Sequence, residues 1–133
     1  HRLKTKKFRR DGAYLEIKIP SRILYLFEKY KSDNEYLLNF NKRYQDGNCF
    51  NVNVNNGLKS YCKHNGLPAI CIYNFRHSWA TIAQNNCGAS TAEVGFALNH
   101  SSAHRVTEGY IKKDYSPISI LNNKVVEYVF GQY

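Results

Sequence analysis

Three side chains in the stretch YNFRHSWATIAQNNCGASTAEVGFALNHSSAHRVTEGY, residues 73–110, are of the types that grip a phosphodiester and attack it: Arg76, His100 and Tyr110. Attack at phosphorus raises the charge on the phosphate, so a protein must set cations and hydrogen-bond donors where that charge develops. Arg76 has a planar fork that can hold both non-bridging oxygens, and His100 can donate to one of them. Tyr110 offers a phenol of unperturbed pKa about 10, which a cationic pocket helps to lose its proton during attack. The departing sugar oxygen needs a proton, and Lys4, with Lys6 in reserve, can supply it from the basic opening segment. Tyr73, three residues before Arg76 and on the same helix face, is a further donor to phosphate. The scheme requires no metal and no cofactor, in keeping with the lack of a carboxylate cluster.

Each residue also has a plainer explanation. Arg76 beside an apolar stripe can snorkel to solvent. His100 after a helix can cap the last carbonyls, and Tyr110 is one of eleven tyrosines. Lys4 sits among other solvated lysines. Only the ordered set favours chemistry.

The elements that must position these residues are legible from periodicity. Residues 1–20 read as a β-hairpin, with a strand over HRLKTKKF, a turn over residues 9–12 centred on Asp11 and Gly12, and alternation from Ala13 to Ile19. Leu15, Ile17 and Ile19 fall on one face of it. Pro20 stops the strand, Ser21 is placed to cap, and Arg22 to Lys31 has helical spacing. Residues 32–47 are polar and irregular around an apolar knot, Tyr36, Leu37 and Leu38. A second helix is expected from about Asn48 to His64, stopped by Asn65 and Gly66, although its asparagines weaken its first half. After Pro68, Ala69 to Ile72 is a brief extended lead-in. The next helix carries Phe75, Trp79, Ile82 and Ala83 as a stripe that must face the core, and Gly88 is its expected C′ residue. Ser90 to Glu93 is a capping box for a helix that buries Val94, Ala97 and Leu98 and runs out at Asn99 and His100. Residues 101–105 connect to a helical turn over 106–113 that bears Tyr110. Pro117 opens a last helix with Ile118, Leu121, Val125 and Val129 on one side. The expected fold is mostly α with a small N-terminal β-hairpin, an α+β domain spanning 1–133.

Bulk properties narrow the partners. A chain of 133 residues suits one domain with a modest core. Nineteen Lys and Arg against ten Asp and Glu give +9, which favours a polyanion: nucleic acid first, an acidic membrane surface second. Eleven Tyr and seven Phe mark a chain that folds rather than a disordered basic tail. No apolar run approaches the roughly 20 residues of a membrane span, and the charged start has no signal-peptide core. The four cysteines lack the tight pairs of zinc modules and read as scattered thiols in a reducing cytoplasm. The charged segment at His1, running straight into an alternating strand, reads as the interior of a larger protein.

The words YNFRHSWAT, ALNHSS and VTEGYI, in that order, resemble the tyrosine recombinases, the phage-integrase family, and within it the integrases of Bacteroides-type phages and conjugative elements. The resemblance is strong from about residue 72 to 130, suggestive over 1–20 and generic between. It implies the C-terminal part of a DNA breaking-rejoining catalytic domain, truncated at its N-terminus. Arg76 matches the family's second arginine, His100 its third-box histidine, Tyr110 its nucleophile and Lys4 its general acid. Tyr115 is the second choice for the nucleophile. Tyr73 stands where many members have histidine, and Asn99 where they have glycine, a position asparagine also tolerates. The family's first arginine belongs before the hairpin, so it and the DNA-clasping domain are expected upstream of His1, and the fragment alone should cleave poorly. Implied further are a 3′-phosphotyrosyl intermediate, double-stranded DNA as partner, and other recombinase protomers in a synaptic tetramer. A bacterial cytoplasmic location on DNA and a role in integration of mobile elements are implied too, with no membrane and no small-molecule substrate. Two rival expectations are a non-catalytic basic nucleic-acid-binding module and a small metal-binding module built on the cysteines and histidines.

Overall fold

The computed structural model describes residues 14–34, 36–100 and 113–131, with the backbone alone for residues 41 and 42. Among these residues the structure is mostly helical, with five α-helices and no strand longer than an isolated bridge. The first strand and turn of the expected hairpin, Lys4, Lys6 and the 106–112 turn with Tyr110 lie outside the described residues. The described residues divide between two compact units, one drawn from His1–Arg22 and Ile82–Tyr133, the other from Ile23–Thr81.

In the Ile23–Thr81 unit, helix α1 (Leu24–Lys29) follows a 3-10 turn at Ser21–Ile23, so it is shorter than the periodicity predicts, and Ser21 does not cap it. None of its residues is buried; Ile23, Leu26 and Phe27 are half-covered. The apolar knot is opened out: Lys31 bridges Leu38, Asn39 N–H donates to the Tyr30 carbonyl, and Tyr36 and Leu37 remain exposed at the turn. The turn is built by side-chain oxygens, with Asn34 N–H donating to Ser32 and Tyr36 N–H to Asn34. A second 3-10 turn at Asn39–Arg43 follows. The packing here is aromatic, since Phe40 stacks on Phe50 at 5.9 Å while Tyr30 and Tyr44 meet these rings edge-on.

Helix α2 (Gly47–His64) begins where Asp46 accepts the Cys49 amide at 2.7 Å. It ends in a Schellman turn: Gly66 at φ +63° lets Leu67 N–H reach the Cys62 carbonyl at 2.8 Å. Helix α3 (Ile72–Asn85) starts one residue inside the expected lead-in. Its apolar stripe is covered only in part. Ala83 is fully buried and Trp79 and Ile82 are half-buried, but Phe75 is 54 % exposed.

In the other unit, Gly88 at φ +73° turns the chain out of α3, and Ser90 with Glu93 forms the expected capping box of α4 (Thr91–Ala97). Helix α5 (Ser116–Phe130) has Pro117 in its first turn. It packs on α4, and Ile118, Leu121 and Val125 on the one helix and Val94 and Ala97 on the other are all buried. Leu98 is half-buried and Val129 sits at the exposed edge, so the core is narrower than the periodicity implies. Tyr14 to Pro20 forms no strand among the described residues; Leu15 and Ile19 are half-buried while Ile17 is 42 % exposed. This segment runs alongside α5, held at three points in matching chain order. Tyr115 donates to the Tyr14 carbonyl, Lys18 N–H donates to Ser119, and Arg22 donates to the Phe130 carbonyl at 2.7 Å.

Candidate functional site

Tyr73 and Arg76 stand on the first turns of α3, whose start is fixed by two asparagine side chains. Asn55, in the middle of α2, accepts the Ile72 amide at 2.8 Å, and Asn74 reaches back to the Cys71 amide at 2.7 Å. Amides that would otherwise be orphaned at the helix start are thereby satisfied from within the protein. The Tyr73 ring meets His77 edge-on at 4.7 Å, and Tyr73 is 59 % exposed. Arg76, three residues on, is half-buried.

The electrostatic setting of Arg76 extends along the chain. Between Asp46 and Glu93 there is no carboxylate side chain, while Lys59, Lys63 and Arg76 all fall within that stretch. Lys59 and Lys63 are exposed one helical turn apart on α2, and the exposed Asn51, Asn53 and Asn56 line the same helix. A stretch of cations and amides without acids suits a polyanion.

His100 is placed by the way α4 ends. Asn99 adopts φ +54°, its N–H donates to Phe96, and the His100 N–H closes onto the Gly95 carbonyl at 2.9 Å. This is a Schellman turn with Asn99 at C′ and His100 at C″. The backbone amide of His100 therefore does the capping, and the residue itself is exposed. Asn99 is only 8 % exposed and takes the left-handed conformation that glycine would otherwise supply.

Tyr73 and Arg76 are thus brought to one helix face in the Ile23–Thr81 unit, and His100 is set at a helix end in the other unit. Tyr115 is bound up in packing. Its ring stacks on Phe96 at 6.1 Å and meets Tyr14 edge-on at 5.8 Å, and its hydroxyl donates to the Tyr14 carbonyl at 3.2 Å. Beside it an open cleft of about 640 Å³ is lined by residues 16–18 and by residues between 113 and 120, among them Lys18, Lys113, Glu16 and Asp114. Asp114 accepts from Ser116, which holds its carboxyl below the usual range. Among the described residues no three His, Cys, Asp or Glu stand close enough together to hold a metal ion, and the four cysteines are free thiols. No helix among them is long and apolar enough to cross a membrane.

Two positioning residues escape a reading by periodicity. Asn55 looks like one more helix-weakening asparagine, and its value shows only once α3 lies beside α2. Tyr115, in the sequence a second choice for the nucleophile, shows its packing role only once its ring is seen against Tyr14 and Phe96. Comparison with protein-family models, curated proteins and solved structures yields no match.

Proposed function

We propose that the chain is the C-terminal part of the catalytic domain of a tyrosine-type site-specific DNA recombinase, an integrase. The observation that carries the reading is the ordered set of Tyr73 and Arg76 on α3, then His100 fixed at C″ after a left-handed Asn99, then Tyr110. The acid-free stretch from Asp46 to Glu93 supports DNA as the partner.

In this scheme Arg76 and His100 hold the non-bridging oxygens, with Tyr73 as an added donor. The Tyr110 oxygen forms a bond to phosphorus and releases its proton to solvent, and the bond from phosphorus to the 5′ oxygen breaks. Lys4 gives that oxygen a proton, leaving a free 5′ hydroxyl and a 3′-phosphotyrosyl link. A 5′ hydroxyl from another strand reverses the step, so no energy source is consumed. Pairs of protomers would exchange strands in turn within a synaptic tetramer. A second guanidinium on the phosphate is required, and the family places it on a helix that precedes the hairpin.

The test is trapping on a nicked duplex with the intact protein that carries this chain, followed by mapping of the linked peptide. Linkage through Tyr110, lost in Tyr110→Phe, is the expected result. Absence of any tyrosyl linkage overturns the reading. A second reading, a non-catalytic basic nucleic-acid-binding module, is favoured by the acid-free stretch alone. It expects salt-dependent affinity that Tyr110→Phe leaves unchanged, and no covalent product.

A further inference from the structure

The outward face of α2 is built from residues that a helix does not choose for its own stability. Asn53, Asn56, Ser60 and Lys63 recur at i, i+3, i+7 and i+10, so they form one stripe, and each is exposed. Val54, Leu58 and Cys62, at i, i+4 and i+8, turn the other way and are half-buried or buried. Gly57 and Lys59 flank the stripe on either side, both exposed. Asparagine, serine and glycine are poorer helix formers than alanine. The Gly57 backbone is not left-handed, and a side chain there would meet nothing within 4 Å, so neither conformation nor packing among the described residues calls for glycine. What glycine and short side chains offer on an exposed helix face is close approach of another molecule to the backbone.

We propose that this face of α2 lies in the major groove of duplex DNA and reads an adenine through the Asn56 amide, a proposal that rests on DNA as the partner but not on the phosphoryl-transfer chemistry. Charge complementarity selects the occupant. Lys59 and Lys63 are exposed cations in a stretch, from Asp46 to Glu93, that holds no carboxylate side chain between its ends. The major groove is about 12 Å wide and admits an α-helix, and the rise from Asn53 to Lys63 is about 15 Å, the length of about four to five base pairs. An asparagine amide suits adenine because it can accept from N6 and donate to N7 together. Asn53 is bonded back to the Cys49 carbonyl and Asn55 is occupied by the Ile72 amide, whereas Asn56 makes no hydrogen bond among the described residues. Lys59 and Lys63, with longer side chains, hold phosphates and fix the helix in register.

The experiment selects bound sequences from a pool of random-sequence duplexes, using the intact protein that carries this chain and its Asn56→Ala, Lys59→Gln and Tyr61→Ser forms. Position 56 is exposed and alanine is the better helix former, so Asn56→Ala retains the fold. Tyr61, 62 % exposed and away from the stripe, is the control. The selected duplex should carry an A·T pair at one position where Asn56→Ala loses its preference, with affinity for that duplex about tenfold lower. Lys59→Gln should weaken all duplexes evenly, and Tyr61→Ser should match the unsubstituted protein. Duplex RNA, whose major groove is too deep and narrow to be read, should compete poorly. An Asn56→Ala form that keeps every base preference, or that loses one at a G·C pair, overturns the adenine contact. Competition by duplex RNA as strong as that of the selected duplex overturns docking in the major groove. Tyrosyl linkage on a nicked duplex, measured on the same proteins, separates this proposal from the recombinase chemistry. Linkage beside unchanged base preferences overturns the proposal alone, and a lost adenine preference with no linkage in any form overturns the chemistry alone. Enrichment of no duplex by any form overturns DNA as the partner, and the proposal with it.

Discussion

The side-chain carbonyl of Asn55, in the middle of α2, accepts the first amide of α3, that of Ile72, at 2.8 Å. One asparagine thereby joins two helices and holds the turn from which Tyr73 and Arg76 project. Asn55→Ala should lower stability by about 1 kcal/mol, the usual value of a helix cap. Asn55→Asp, which keeps an acceptor, should recover most of it. Chemical denaturation of the three forms measures both effects.

At the end of α4 the left-handed backbone of Asn99 sets up the His100 amide. Asn99→Ala places an ordinary side chain at φ +54° and should cost about 1–2 kcal/mol. Asn99→Gly removes that strain but also a side chain that is 8 % exposed, so it should fall between wild type and alanine. The order of the unfolding midpoints checks this.

The capping box at the start of α4 makes stability depend on acid. The Glu93 carboxylate accepts from the Ser90 hydroxyl at 2.7 Å and from the Ser90 amide at 2.8 Å, and the hydroxyl bond chiefly holds its pKa below the ordinary range. The unfolded chain therefore binds the proton more readily. The contribution is complete above the ordinary glutamate value of about 4.3 and is lost as pH falls through the lowered folded value. Glu93→Gln should flatten this part of the stability profile on the acid side of the ordinary glutamate value. Thermal melts across that range read it directly.

Arg22 binds the far end of α5, donating to the Phe130 carbonyl at 2.7 Å and lying 3.6 Å from Glu127, with its guanidinium over the Phe130 ring. The ion pair is half exposed and contributes little by itself, whereas the bond to a helix-terminal carbonyl satisfies a group the helix leaves open. Arg22→Ala should speed amide exchange in the last turn of α5 and leave α2 untouched. Arg22→Lys should restore it only in part, since lysine lacks the planar fork.

DNA affinity should fall steeply with salt. Replacing Lys59 and Lys63 with glutamine should lower the slope of log affinity against log salt by about 1 for each phosphate contact removed. Fluorescence anisotropy on a labelled duplex over a salt series measures it.

Helix stops and starts were legible in the sequence because they depend on a few local residues. Gly66 and Gly88 both take positive φ where the chain was expected to turn, and Ser90 with Glu93 caps α4 as the spacing predicts. Burial was less legible because it depends on what lies opposite. Phe75 fits the apolar stripe of α3 yet stays open, and Tyr36 and Leu37 sit at an exposed turn closed by Asn34. The chemistry proposed for Arg76 and His100 rests on residue type and order, while the features that seat them, Asn55 and the Schellman turn, are long-range or conformational.

The segment from Tyr14 to Arg22 is pinned to α5 in step, yet the two advance at different rates, an extended chain by about 3.3 Å per residue and a helix by about 1.5 Å. They behave like two gears of unequal pitch. Losing a single residue from the extended part, Tyr14 to Pro20, would throw Arg22 off its carbonyl by more than one helical step. Two residues removed from α5 would match that length but turn everything beyond the deletion by about 200°, so a length change in one stretch cannot be made good by one in the other.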